Sequence, residues 1–251
     1  MSQNPTHRVL SILRRHRVRA LLMGGQACIL YGAAQFSRDV DVAVAIDPGN
    51  LRRLRAALAD LGAEPAYFPR LSAAALRRGH ACHFKCHGSG LGGFRLDVMS
   101  VLRRAPAFET LWRRRTRVEL EPRVEADVMS LPDLVRVKQT QRDKDWPMVR
   151  LLVERDVSEA PRRVPAARAG FWLRECRTAD LLIDLAVRFP RLAGREGVRR
   201  AATRLATAGD RDAVERALRA EEDRERDLDR AYWKPLRTEL ESLRLGRKHD
   251  G

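Results

Sequence analysis

Asp39-Val40-Asp41-Val42-Ala43-Val44 places a carboxylate at alternate positions of an otherwise apolar, strand-length run. In a strand, residues two apart share a face, so Asp39 and Asp41 would project together, separated by roughly 6.6 to 7 Å along the backbone. Two carboxylates that close repel unless a cation compensates them, and a hydrophobic strand has little other reason to carry such a pair. Hard oxygen donors suit Mg²⁺, with phosphate oxygens completing its shell. Fourteen and sixteen residues before the two aspartates, an apolar run ends in two glycines, Leu21-Leu22-Met23-Gly24-Gly25.

The surrounding pattern predicts an α+β fold. Val9 to Leu13 reads as a short amphipathic helix, Arg19 to Met23 as a buried strand, Gln26 to Ala34 as a helix, and Asp39 to Ile46 as a second strand closed by Asp47-Pro48-Gly49. Leu51, Leu54, Leu58 and Leu61 keep helical spacing up to Gly62, a glycine stop. From Ala81 to Ser100 the alternation returns as a hairpin. Cys82, Phe84 and Cys86 share one face and His83, Lys85 and His87 the other, and a Gly-rich turn leads into Phe94 to Met99, which carries Asp97. Two short strand candidates follow, Arg117 to Leu120 and Val124 to Val128. Ser130 then caps a helix expected to reach about Gln141, with Asp133 three residues on. Residues 157–169, with two prolines, are the best linker; the expected domains are 1–156 and a helical 170–251. Ala179 to Val187 is apolar enough to be buried, and Asp210 to Leu243 is a charge-laced helix.

Gly24 and Gly25, at a strand end before a helix, allow backbone to approach a phosphate. Together with Asp39, Asp41 and Asp97 they make a candidate triphosphate site with two metal positions, which is the equipment of nucleotidyl transfer. In Gly24-Gly25, Ser37-x-Asp39-x-Asp41, Asp97, and Leu134-Val135-x-x-Lys138 followed by Arg142-x-Lys144-Asp145, the chain resembles the nucleotidyltransferase fold superfamily of DNA polymerase β, in its minimal, AbiEii-like bacterial branch. The resemblance spans roughly residues 5–156 and implies a mixed β-sheet flanked by helices. It implies that Asp39 and Asp41 bind Mg²⁺, that Asp97 completes the metal site and helps to activate the acceptor hydroxyl, and that Gly24 and Gly25 cradle the phosphates. Ser37, Arg38 and Arg142 would contribute to nucleotide binding, and Lys138 and Asp145 would line the pocket, with Asp143 as an alternative to Asp145. Two lysines within seven residues, in a chain with 44 Arg and five Lys, support an ammonium near a phosphate; a salt bridge with Asp133, Asp143 or Asp145 is the competing structural explanation. The chain departs from the common pattern in having Gly25 where many relatives carry serine, and Gln35 and Ser37 where many carry arginine and threonine, with Arg38 displaced by one.

The formal charge of +16 suggests a polyanionic partner, although arginine and alanine richness also fits a GC-rich coding bias. The excess leans to the N-terminal part: residues 1–156 hold 27 basic and 16 acidic groups, net +11, against 22 and 17, net +5, beyond. Clusters stand at Arg14, Arg15, Arg17 and Arg19, at Arg103 and Arg104, and at Arg113, Arg114, Arg115 and Arg117. No membrane span or signal peptide is evident, so a cytoplasmic protein is expected, with four cysteines as reduced packing groups. His80, Cys82, His83, Cys86 and His87 invite a zinc reading. An extended segment would hold Cys82 and Cys86 about 13 Å apart, too far to share an ion. Trp112, Trp146, Trp172 and Trp233 are scattered and expected in the core.

The resulting expectation is a Mg²⁺-dependent enzyme that transfers a nucleotide from an NTP, ATP among them, to a hydroxyl of RNA, tRNA included, and releases pyrophosphate. By analogy with toxins of that branch it would act within a toxin–antitoxin pair with a cognate antitoxin protein. The alternative is a non-catalytic nucleic-acid-binding module on the same fold.

Overall fold

The computed structural model of the chain describes residues 4–121 and 124–246. Its elements run α1 (Pro5–Arg15), β1 (Ala20–Met23), α2 (Gly24–Leu30), β2 (Asp39–Val44), α3 (Pro48–Asp60), β3 (Ala63–Pro65), α4 (Ala73–Arg77), β4 (Cys82–Cys86), β5 (Phe94–Met99), α5 (Phe108–Arg114), β6 (Thr116–Glu121), β7 (Val124–Val128) and α6 (Leu131–Val137). Six further helices follow: α7 (Asp145–Ser158), α8 (Ala166–Glu175), α9 (Ala179–Arg188), α10 (Pro190–Gly197), α11 (Ala201–Ala206) and α12 (Arg211–Gly246). The fold is α+β, a mixed sheet with flanking helices and then a helical region. Among the described residues no helix is long and apolar enough to cross a membrane.

All seven strands join one sheet in the order β3-β4-β5-β2-β1-β7-β6. β2 is central, antiparallel to β1 and parallel to β5, and β4 pairs antiparallel with β5, as the predicted hairpin requires. One sheet face carries Leu22, Val42, Val98 and Cys82 in transverse register, with Val40, Leu96 and Phe84 beside them, all buried. On the opposite face Leu21 pairs with Ala43, also buried, but the next row along the strands reads Met23, Asp41, Asp97, His83 and the row after it Asp39, Arg95, Lys85. That face therefore changes from hydrocarbon to charge within two residues of strand.

Local chemistry explains the flanking helices. Asn4 caps α1 by accepting from the Thr6 N–H at 2.9 Å, and Pro5 opens the first turn. Asp47 caps α3 by accepting from the Asn50 N–H at 2.8 Å, with Pro48 at the first helical position. Asn50 itself, 0% exposed, was not singled out by the sequence pattern. Its Oδ1 accepts from the Arg19 N–H at 2.7 Å, and its Nδ2 donates to the carbonyls of Arg19 at 3.1 Å and Ala45 at 2.9 Å. A single amide thus ties the start of β1 to the end of β2.

The chain divides into two compact units. A sheet unit takes the chain up to Leu30, Ala34–Leu134 and the chain from Tyr232 onward, and a helical unit takes Tyr31–Ala33 and Val135–Ala231. Compactness thus changes hands inside α6 rather than at residue 156. The non-helical connection after α7 is shorter than the expected 157–169, because α7 continues to Ser158 and α8 begins at Ala166. Within the helical unit, Trp172 is fully buried and donates its Nε1–H to Asp156 at 2.6 Å, while the Arg200 guanidinium donates to the carbonyls of Leu173 and Cys176 at 2.8 and 2.7 Å. Arg200 so closes the C-terminal end of α8.

Replacing Asn50 by Leu keeps the volume but leaves the Arg19 N–H without its Asn50 acceptor and the Ala45 carbonyl without its Asn50 donor. The expected cost is about 3 kcal/mol, on the scale of orphaned buried polar groups, read by urea unfolding. A loss below about 0.5 kcal/mol, the range of ordinary surface substitutions, would contradict this role.

Candidate functional site

Asp41 stands directly beside Met23 across the β1–β2 ladder, so the residue after the strand, Gly24, meets its side chain. Gly24 adopts φ +66°, and a Cβ built there would lie 1.7 Å from Asp41 Oδ2. The carboxylate occupies the space that any other side chain would need. Gly25 is bound by the same logic, since its Cβ would fall 2.5 Å from Ser37 Oγ. The Ser37 hydroxyl in turn donates to Asp39 Oδ1 at 3.0 Å and to the Asp39 carbonyl at 3.2 Å. The glycine pair is therefore the seat of Asp41 and Ser37, and Ser37 orients Asp39.

Asp97 follows from register. It is the Cα partner of Asp41 on the parallel neighbour β5, about 4.8 Å away in the hydrogen-bonding direction. Its side chain faces the same way but is differently employed. Asp97, 7% exposed, receives His83 Nδ1 at 2.8 Å on Oδ1 and an Arg95 N–H at 2.9 Å on Oδ2. His83, with 27% of its side chain exposed, also meets the edge of the Tyr67 ring, centroid to centroid 5.8 Å at 80°. Among the described residues no three His, Cys, Asp or Glu groups converge as a ready-made metal cage. Asp39 and Asp41 remain only partly buried. Arg38 is exposed, with its guanidinium 6.0 Å from the centre of the Phe36 ring, itself 71% exposed.

Lys138, Arg142 and Asp145 form a separate cluster within the helical unit. Lys138 Nζ donates to Asp145 Oδ1 at 3.0 Å, and Thr140 Oγ1 and Arg142 Nε donate to Oδ2 at 2.6 and 2.8 Å. Asp145 is fully buried. Burial pushes its carboxyl upward, but the charges of Lys138 and Arg142 and the Thr140 hydroxyl outweigh that and hold it below the usual range. This cluster ends α6 early: the helix expected to reach Gln141 stops at Val137, and Lys138 and Thr140 turn to Asp145. Lys144 is exposed, as is Asp143, which pairs with Arg226. Thr140 was missed in the sequence, where nothing but its spacing from Asp145 marks it.

The zinc-like set is dispersed. Cys82 and Cys86 point into the core, and burial pushes both thiols up to about 11, where they stay protonated. His80 pairs with Glu239 at 2.9 Å and His83 with Asp97. The N-terminal arginines are largely matched by acids: Arg14 with Glu125 at 2.7 Å, Arg15 with Asp60 at 2.8 Å, Arg19 with Glu109 at 2.6 Å, Arg115 with Asp127 at 2.6 Å. Arg19 and Arg115 also lie 5.1 and 4.2 Å from the Trp112 ring centre, so this tryptophan, expected in the core, sits at a cationic surface instead. Trp146 and Trp172 are core residues as expected.

Gly24 and Gly92 both have positive φ, +66° and +52°, but a Cβ at Gly92 meets nothing within 4 Å. Gly92→Ala should cost about 1 kcal/mol, the backbone penalty alone. Gly24→Ala should cost at least about 2 kcal/mol more by urea unfolding, the scale of an overpacked site, because Asp41 must move. Equal losses at the two positions would show that Asp41 is not seated there.

No protein-family model matches the chain, and no curated protein matches it. Among solved structures it is similar to the crystal structure of JHP933 from Helicobacter pylori, with 12% identity, a TM-score of 0.41, and coverage of 93% of this chain and 94% of that one.

Proposed function

We propose that the protein transfers a nucleotidyl group from an NTP to a hydroxyl of an acceptor, with release of pyrophosphate. The observation that carries the reading is the seating of Asp41 against Gly24, with Asp39 beside it on the same strand face and held by Ser37. Two carboxylates are thereby held on one strand face at a partly open sheet end. Mg²⁺ needs only one or two protein carboxylates when substrate phosphates supply other oxygens, and the all-oxygen donor set of Asp39 and Asp41 fits that requirement. When bound, Mg²⁺ would supply neutralisation of phosphate charge and polarisation of the phosphorus centre.

The chain's own groups account for the remaining tasks. Gly24 and Gly25 seat Asp41 and Ser37 at the strand end, and a phosphate-cradling role for them rests on the motif resemblance. Arg38, exposed and next to Asp39, offers a guanidinium for a phosphate or, with Phe36, a flat cationic surface for a base. The formal charge of +16 supports RNA as the acceptor, although the pairing of Arg14, Arg19 and Arg115 with acids reduces the bare field. A role beside an antitoxin partner belongs to the same proposal and rests on the motif resemblance.

Labelled NTPs incubated with the protein, Mg²⁺ and total RNA or total protein should give label transfer that Asp41→Ala lowers by at least about 10²-fold, the scale for removing one electrostatic stabiliser. Transfer that persists undiminished in the variant, or none from any NTP to any acceptor, would overturn the reading.

A further inference from the structure

Asp97 accepts His83 Nδ1 on one oxygen and an Arg95 guanidinium N–H on the other. The third carboxylate is thus already committed, and the group it holds is chemically more suggestive than the carboxylate. Because Asp97 Oδ1 accepts at Nδ1, the neutral imidazole carries its proton on Nδ1 and presents a lone pair at Nε2. Nε2 has no hydrogen-bond partner among the described residues, and the ring keeps enough exposure to meet a substrate. Arg95 compensates the charge of Asp97, and the Tyr67 edge limits the tilt of the ring. Asp41, Asp97 and His83 stand in one transverse row, so the Cα atoms of Asp41 and His83 are two strand spacings apart, about 10 Å. A base-to-hydroxyl and a hydroxyl-to-phosphorus distance of about 3 Å each fit in that span.

We infer that His83 is the general base for the acceptor hydroxyl and that Asp97 is its positioning residue, with Arg95 holding Asp97. The inference rests on the nucleotidyl-transfer reading and assigns within it a residue that the motif resemblance does not contain. As the hydroxyl oxygen bonds to the α-phosphorus of the NTP, its proton passes to His83 Nε2. The bond from that phosphorus to the bridging oxygen breaks, and pyrophosphate leaves with the electron pair. His83 then returns the proton to water. Asp97 remains ionised throughout and stabilises the imidazolium.

Two measurements decide the matter. In metal-free protein at mildly alkaline pH, ¹⁵N NMR should show His83 with its proton on Nδ1, and Asp97→Asn should abolish that preference; a wild-type ring protonated on Nε2 would overturn the inference without reference to activity. In label transfer from NTP to total RNA, His83→Gln should lower the rate by about 10² to 10⁴-fold with NTP affinity and Mg²⁺ dependence unchanged. A wild-type rate in His83→Gln, or a loss in Asp97→Asn that higher Mg²⁺ restores, would overturn it and leave nucleotidyl transfer standing. Absence of transfer by the wild type would remove both.

Discussion

The position of the Asp41 carboxylate in the space that a Cβ on residue 24 would take is the contact on which the site depends. It arises from pairing: β1 and β2 run antiparallel with Met23 opposite Asp41, so the first residue past β1 must face that side chain. Only glycine tolerates both the closeness and the φ of +66°. The same arrangement repeats one residue on, where Gly25 makes room for Ser37 and Ser37 holds Asp39. Asp41 is therefore seated directly against backbone, and Asp39 is oriented through the Ser37 hydroxyl.

Neighbouring strands set what those acids can do. Since β2 and β5 are parallel and in register, a third carboxylate stands beside Asp41, and since β4 is antiparallel to β5, His83 stands beside the third carboxylate. The row runs from Asp41 to an acid–imidazole pair buttressed by Arg95. In the helical unit, by contrast, Asp145 is consumed by Lys138, Thr140 and Arg142, and its burial makes it the organiser of the turn from α6 into α7.

Much of this was legible in the sequence. The alternation in 39–44 and 82–86 announced strands, Gly62 marked the end of α3, the shared face of Asp39 and Asp41 followed from period two, and Asp97 was read on a strand that could pair beside them. What escaped depends on contacts distant in sequence. Asn50 reads as an ordinary helix-start residue until Arg19 and Ala45 are brought to it. His83 was visible on the polar face of its strand, yet only register shows that its partner is Asp97, fourteen residues on. The pattern Arg95-x-Asp97 was the available signal, because residues two apart on a strand share a face. The short edge strand β3, with a proline at its end, has no periodicity long enough to detect. Trp112 gave no sign of lying between arginines, because arginine stacking leaves no mark on local spacing.

The central claim is that the acid pair on β2 is a cation site completed by a nucleotide. Binding of Mn²⁺ in the presence of a non-hydrolysable NTP analogue, followed by electron paramagnetic resonance, tests it without requiring the acceptor. The wild type should bind the ion in a nucleotide-dependent manner, and Asp41→Asn should weaken that binding by about tenfold or more, at least the scale of losing a supporting ligand contact. Equal Mn²⁺ binding by the wild type and Asp41→Asn would contradict the account.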